Sequence, residues 1–353
     1  MHFALVIYGS LDTLSGGYLY DRQLVAHLRA AGHTVEIISR SWRNYARHLA
    51  DNANGGWARQ LHHLRCDVLL QDELNHPSLV WVNRRLRRTT PIVSLVHHLR
   101  CDEQHPRLLR WFYRMIERAY LRAVSGFIFN SHTTRRAAQT LAGATPPHVV
   151  AWPAGDRFAD LPSHTAIAAR ATAPGPLRVI SVGNVIPRKG LHTLLAGLGQ
   201  LPLAQWHLTV VGRLDADRAY AQRMQAQAAA LPNVVWRGAL SEADLYTALN
   251  TSDVLAVPST YEGFGIVYLE GMAFGLPALA TTAGAAREII TPHINGWLIP
   301  PDDAAALAAA LRPLLTDRES LIQTSLAARQ RYDQHPTWEQ SLTRARHFLE
   351  TWS

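Results

Sequence analysis

Lysine is almost missing from this chain: of its 35 basic residues 34 are arginine, and the single lysine is Lys189. Cysteine is nearly as scarce. Cys66 and Cys101 are the only two, and neither has a partner at metal-ligand or redox spacing, which argues against a disulfide scaffold or structural zinc and fits a reducing compartment. No stretch approaches 18 consecutive apolar residues, so no transmembrane helix is expected. The apolar start, residues 1–8, has no basic flank before it and no small-residue cleavage site after it, so no secretory signal is expected and a cytoplasmic location follows. What the chain does have is size: 353 residues, 48% of them hydrophobic, can bury two domain cores without staples.

The net charge of +8 is unevenly spread. Residues 1–170 carry 21 arginines against 12 acidic side chains, whereas residues 171–353 carry 14 basic against 15 acidic. A GC-rich coding bias explains arginine in place of lysine but not the survival of Lys189. A compact ammonium and a planar guanidinium fork are different tools, so Lys189 marks a candidate site where the fork does not fit. The basic character also admits a nucleic-acid-binding protein, but no binding module is recognisable and that class leaves Lys189 and the glutamates below unexplained.

Short β-rich runs alternate with helical stretches, the pattern of βαβ units around parallel sheets, and the pattern occurs twice. Strands are expected at 2–8, 34–39, 68–70, 92–96 and 126–130, with a helix at 18–31 closed by Gly32. The segment 160–176, rich in Ala, Thr, Pro and Gly, reads as a connection; strands resume at 178–183, 207–212, 234–237, 254–258, 277–281 and 296–299. The expected fold class is α/β, with two Rossmann-like doubly wound domains facing across a cleft, at 1–165 and 166–336. An amphipathic helix at 337–353 is free to pack back on the first. Ligands of such sheets sit beyond the carboxyl ends of the strands, so the loops there are where chemistry is sought.

Two loops stand out. In Pro258-Ser-Thr-Tyr-Glu262-Gly-Phe-Gly265-Ile-Val-Tyr-Leu-Glu270, a strand ends, a glycine-flanked turn follows and a helix begins near Gly265, whose free N–H groups form an anion site. In Val182-Gly-Asn-Val-Ile-Pro187-Arg188-Lys189-Gly190, two cations lie between a strand and a helix. The glutamates are not a glycosidase pair: retaining carboxylates stand about 5 Å apart, whereas eight helical residues span roughly 12 Å. Asp215-Ala-Asp217 sits where a loop enters a helix and reads as capping rather than metal binding.

These segments resemble family 4 of the retaining glycosyltransferases, whose two-Rossmann-domain arrangement is called GT-B. Glu262 and Glu270 match its E-x7-E motif, and Gly183 with Arg188-Lys189-Gly190 matches its phosphate-binding segment. The likeness continues through Val211-Gly212, Arg237-Gly238, Thr282 to Gly284, Glu288 and Asn295-Gly296. In the first half it is thinner, resting on Gly16-Gly17, His97-His98 and Asn130-Ser131; the chain departs from the family pattern at Ala154-Gly155 and Gly284-Ala285.

The resemblance implies sugar transfer from a nucleotide diphosphate sugar, with neither metal nor bound cofactor. Arg188 and Lys189 would neutralise the leaving diphosphate, assisted by Gly16, Gly17, Gly183, Asn184, Phe264, Gly265, Ile266 and Val267. Glu270 would hold the ribose, Glu262 would orient the donor sugar and His97 would touch the sugar near the reacting carbon. Lys189, read as an exposed cleft lysine, would add little to stability. A GT-B phosphorylase or epimerase is the rival within enzymes. Ser131 reads equally as a helix cap. The acceptor is unspecified, with a lipid-linked molecule or a growing glycan both open.

One segment belongs to none of this. At 100° per residue Arg107, Arg110, Arg114, Arg118 and Arg122 fall within about 120° of a helix circumference. Leu108, Phe112, Met115, Ile116 and Ala119 are expected on the opposite, docked face. Arg84, Arg85, Arg87 and Arg88 form a second cluster. The two readings are a solvated surface in an arginine-rich protein and attraction to an anionic membrane at its inner face.

Overall fold

The computed structural model describes residues 1–143 and 146–352. The near-continuous apolar runs become central strands buried on both faces, as parallel sheets require, whereas edge strands keep exposed positions. The first sheet contains β1 (His2–Tyr8), β2 (Thr34–Arg40), β3 (Val68–Asp72), β4 (Ile92–Val96), β5 (Gly126–Phe129) and β6 (His148–Val150), ordered β2-β1-β3-β4-β5-β6. The second contains β7 (Leu177–Val182), β8 (Trp206–Val211), β9 (Val234–Gly238), β10 (Val254–Ala256), β11 (Ala278–Thr281) and β12 (Gly296–Ile299), ordered β12-β11-β10-β7-β8-β9. Every neighbouring pair is parallel: Phe3 stands opposite both Val35 and Val68, and Val179 opposite Val254 and Leu208. Both sheets are therefore doubly wound, and each has one point where strand order reverses, between β1 and β3 and between β7 and β10. Adjacent loops diverge there and leave room for a ligand.

The chain divides into two compact units, residues 1–153 with 336–353, and residues 154–335. The first boundary thus lies ahead of the expected 165. The segment read as a connection holds a helix, His164–Thr172, capped by Ser163 and anchored by fully buried Ile167 against Gly275. Its weak apolar period conceals it in the sequence. The C-terminal helix Trp338–Glu350 belongs to the first unit. Trp338 meets Tyr20 edge-on at 5.7 Å, the Arg344 guanidinium lies 5.1 Å from the Trp152 ring, and Glu350 pairs with His33 at 3.1 Å. Strand β6, three residues that begin with a histidine and are mostly half-buried, does not show in the apolar pattern.

The basic helix Arg107–Leu121 is turned by more than a quarter revolution from its expected orientation. Its arginines are exposed, but so are Leu108 (79%) and Met115 (47%), while Tyr113, Glu117, Tyr120 and Leu121 are buried. Phe112, Ile116 and Ala119 remain partly buried at the edge of the core. The reason is a polar interior. Tyr120 Oη lies 2.9 Å from Ser94 Oγ, and the Glu117 carboxylate accepts the backbone N–H groups of Arg100 (2.6 Å) and Cys101 (3.0 Å). Hydrophobicity alone cannot anticipate a face that docks through hydrogen bonds.

Glu117 belongs to a buried cluster with Glu73 and His76, whose ligand-type atoms lie within 4.8 Å of one another. His76 is bonded through both ring nitrogens, to the Glu73 carbonyl (3.0 Å) and to Tyr45 Oη (2.9 Å). Both Glu117 oxygens accept backbone N–H groups, and three buried ionisable side chains this close together suit shared protons. Burial pushes Glu73 up to about 8 and Glu117 up to about 7, and it lowers His76 to about 4. The two carboxyls hold protons in the folded state at pH values where the unfolded chain has released them. Their contribution to stability therefore falls as pH rises, whereas His76 acts with the opposite sign only below its ordinary value of 6.5. Thermal unfolding of the first unit should shift to lower temperature between pH 6.5 and 9, and Glu73→Gln should flatten that dependence. A wild-type profile that rises over this range would contradict the assignment.

Candidate active site

In the second unit the reversal between β7 and β10 brings the two conspicuous loops side by side. The loop after β7 turns through a short 3-10 segment, Pro187–Lys189, into the helix Leu191–Leu198; the loop after β10 leads to the helix Ile266–Ala273. Thr260 donates its backbone N–H to the Arg188 carbonyl at 2.8 Å, and Arg188 Nη1 donates to the Tyr261 carbonyl at 2.9 Å. Between them Gly190 has φ of +69°, and a Cβ there would lie 2.0 Å from the Pro258 carbonyl oxygen. Only glycine permits this approach.

The approach creates an ion cluster. Glu262, only 8% exposed, accepts from Lys189 Nζ at 2.5 Å and from Ser259 Oγ at 2.8 Å, and lies 3.6 Å from Arg188 Nη1. Burial alone would raise the Glu262 pKa, but Lys189, Arg188 and the Ser259 hydroxyl outweigh it and hold the carboxyl down at about 2. Lys189 is therefore not the free exposed lysine that the sequence suggests. It is a partly buried partner of a buried carboxylate, and its removal is costly to the fold. The two cations and one anion leave a net positive charge beside the N-terminus of Ile266–Ala273, whose first N–H groups, on Ile266 and Val267, have no helical carbonyl to meet.

Glu270 lies on the second turn of that helix, buried, with Arg157 Nη1 3.4 Å from its Oε1; Arg157 also reaches Glu242 at 3.1 Å. Burial raises the Glu270 pKa and Arg157 opposes this. Gly155 lies against Leu269, where a Cβ would come within 2.7 Å, so the Ala154-Gly155 departure packs directly on the motif helix. Phe264, expected to bind the donor, has a buried ring centred 5.8 Å from the His335 ring, so its backbone is the part open to such a role. Gly183 and Asn184 follow β7 as expected, and Gly183 faces the aliphatic stem of Lys189.

Gly16, Gly17 and His97 belong to the first unit. Gly16 and Gly17 open the first helix, Gly16–Ala30, which is capped by Ser15. A Cβ on Gly17 would come within 3.2 Å of the His97 ring, so this glycine leaves room for the histidine. His97 Nε2 is 2.9 Å from Oδ1 of Asp21, a fully buried residue one turn further along that helix. Asn130 Nδ2 donates to the His97 carbonyl at 2.7 Å, and Ser131 caps the helix His132–Ala142. Burial opposes a charge on His97, but the hydrogen-bonded Asp21 carboxylate, helped by Asp72, outweighs it and raises its pKa to about 9. At neutral pH it is an imidazolium held by Asp21. His98 is engaged with Glu103 at 3.0 Å. Asp217 caps the helix Arg218–Ala228, in line with the capping interpretation, and Asp215 pairs with Arg213 at 2.9 Å.

Residues 164–331 match the model of the family glycosyl transferases group 1. The match covers just under half of the chain and lies wholly within the second unit. Glycogen synthase of Mycobacterium tuberculosis is 31% identical over 175 residues, 49% of this chain and 42% of that one, so the chain spans less than half of that relative's length. Phosphatidyl-myo-inositol mannosyltransferase of Mycolicibacterium smegmatis is 35% identical over 136 residues, 37% of this chain and 34% of that one. Among solved structures, sucrose-phosphate synthase from Thermosynechococcus elongatus superposes with a TM-score of 0.80 over 99% of this chain and 98% of that one, at 22% identity. Anabaena HepE in complex with UDP and glucose gives 0.79 over 99% and 100%, at 18% identity. The chain has the GT-B fold of these glycosyltransferases.

The sequence gives no direct sign of Asp21, Arg157 or Glu242 as parts of these clusters. Asp21 lies four residues beyond Gly17, on the same helical face, and that spacing is the available signal. If it holds His97 in the charged state, Asp21→Asn should lower the His97 pKa from about 9 toward 6.5, followed by NMR titration of the imidazole. An unchanged titration would remove Asp21 from this role.

Proposed function

We propose that the chain is a retaining glycosyltransferase of the family 4 type, which moves a sugar from a nucleotide diphosphate sugar to an acceptor. The observation that carries this reading is the placement of Lys189, Arg188 and Glu262 at a strand-order reversal, beside the N-terminus of the helix that bears Glu270. The departing diphosphate gains negative charge as the glycosidic bond breaks, and pre-placed cations with helix N–H groups lower the cost of that charge. Lys189 supplies the point charge, Arg188 a second cation, and Ile266 and Val267 the N–H groups. Glu270 takes the ribose hydroxyls and Glu262 holds both cations while orienting the sugar. His97 is the residue to which the family resemblance gives a contact with the sugar. With no carboxylate assigned as nucleophile, the reading favours front-face substitution, in which a phosphate oxygen takes the acceptor proton, and it needs no metal. The complex of HepE with UDP and glucose and the mannosyltransferase and glycogen synthase names support a nucleotide sugar donor with a lipid or glycan acceptor.

Incubation with a panel of nucleotide diphosphate sugars, followed by chromatography of the released nucleotide, tests the reading directly. Transfer or slow hydrolysis of at least one donor is expected. A requirement for inorganic phosphate would instead indicate a phosphorylase, and interconversion of sugars an epimerase.

Lys189→Ala should lower turnover by about 100-fold or more, and Lys189→Arg should remain impaired. Because Glu262 then loses its main partner, Lys189→Ala should also destabilise the second unit, by about 3 kcal/mol. The double variant Lys189→Ala/Glu262→Gln should recover the melting temperature but not the activity. Near-normal turnover in Lys189→Ala would refute its role.

The two glutamates should separate in calorimetry with free nucleoside diphosphate. Glu270→Gln should weaken binding, by about 10-fold for a lost ribose contact, whereas Glu262→Gln should strengthen it, because the cations lose a competing anion. Turnover should fall in both. Equal weakening in both would show that the division of labour is wrong.

A further inference from the structure

The two arginine clusters that stand apart in the sequence are joined in the folded first unit. Arg84, Arg87 and Arg88, in and after the short helix Asn83–Leu86, meet Arg118 and Arg122 at the end of Arg107–Leu121 around an open surface cavity of about 570 Å³, with Met115 among its walls. Among the described residues, no acidic side chain lines it. Two of the guanidinium groups are already positioned: Arg87 Nη1 donates to the Arg122 carbonyl at 2.8 Å, and Arg122 Nε donates to the Ala142 carbonyl at 2.7 Å. Bringing five like charges together costs energy, so the arrangement is relieved by an anion.

The apolar neighbours identify the kind of anion. Rotation of Arg107–Leu121 onto its polar face leaves Leu108, Trp111 (57% exposed) and Met115 in solvent on the same face as Arg107, Arg114 and Arg118, and Trp81 is exposed just before the short arginine helix. A fold that needed only solubility gains nothing from these side chains. A helix whose outer face carries both cations and large apolar groups suits the boundary between phosphate headgroups and acyl chains, where arginines pair with phosphate and Trp and Leu enter the apolar layer. Paired guanidinium forks are suited to phosphate oxygens.

We propose that this face is a membrane-docking surface and that the arginine cavity holds the phosphate headgroup of an anionic lipid. The basic helix, about 22 Å long, would lie along the membrane plane. The loop between β4 and this helix contains His97, so the docked helix begins a short distance in sequence after that residue. The proposal goes beyond sugar transfer and does not depend on it, because docking is read without turnover.

The test is flotation of the full chain with vesicles of phosphatidylcholine containing 30% phosphatidylglycerol, compared with phosphatidylcholine alone, in about 50 mM and about 500 mM salt, where screening differs strongly. Wild type should float only with the anionic vesicles and be released by high salt. Each arginine near an anionic leaflet changes partitioning by about fivefold, so Arg84→Gln/Arg88→Gln/Arg118→Gln should reduce it about 100-fold. Leu108→Ser/Trp111→Ser, which leaves the charge intact, should weaken flotation with the anionic vesicles at low salt. These exposed positions should fold normally, checked by circular dichroism. Calorimetry with inorganic diphosphate separates the sources of phosphate: an arginine-dependent diphosphate site without flotation would mean a soluble ligand and would overturn the membrane assignment. Failure of wild type to float with anionic vesicles at low salt, equal flotation of the triple variant, or tighter binding to RNA than to the vesicles would overturn it as well.

Discussion

Glu262 is the residue on which the second unit's site depends. A carboxylate this deeply buried cannot stay ionised without compensation, and Lys189, Arg188 and Ser259 compensate it across two loops that are distant in sequence and adjacent in space. The consequence is mutual. The glutamate needs the cations to be buried, and the cations need the glutamate to stay side by side without repelling. On the proposed reading, an arriving diphosphate would meet a pair of partly buried positive charges already oriented, so little reorganisation would be required of the protein.

The topology decides where such a pair can form. Parallel strands end on the same edge, and only where the order reverses do neighbouring loops turn away from each other. In the second sheet this is the β7/β10 boundary, which carries the Lys189 and Glu262 loops. In the first it is the β1/β3 boundary, where the loop from β1 leads to Gly16, Gly17 and Asp21 and where β3 ends at Asp72, with His97 following the adjacent β4. The same geometric rule thus places a charged cluster on each sheet, one predominantly cationic and one built on an imidazolium held by carboxylates.

The first unit uses its polar interior differently from its surface. Tyr120 and Glu117 dock the basic helix through hydrogen bonds, with Glu73 and His76 close to Glu117, which releases apolar side chains of the helix from the core and leaves them exposed beside the arginines. An interior of ionisable groups is less stable than a hydrophobic one of equal volume, and it makes the fold sensitive to pH in the neutral range. The second unit, whose core is apolar, keeps its charges at the strand ends.

Local sequence determined the parallel α/β class, the positions of most strands, the importance of the only lysine and the glutamate spacing, because all of these are encoded in short-range periodicity and in residue types with few substitutes. Tertiary structure alone decided which charges meet. Lys189 and Glu262 are 73 residues apart, and nothing local says that each neutralises the other. Asp21 and His97 are 76 apart, and their pairing follows from the parallel register of β1, β3 and β4. The orientation of the basic helix was also beyond local reading: hydrophobic periodicity ranks side chains by their aversion to water, whereas the docked face here was selected by hydrogen-bond partners supplied from Ser94 and the Arg100–Asp102 turn.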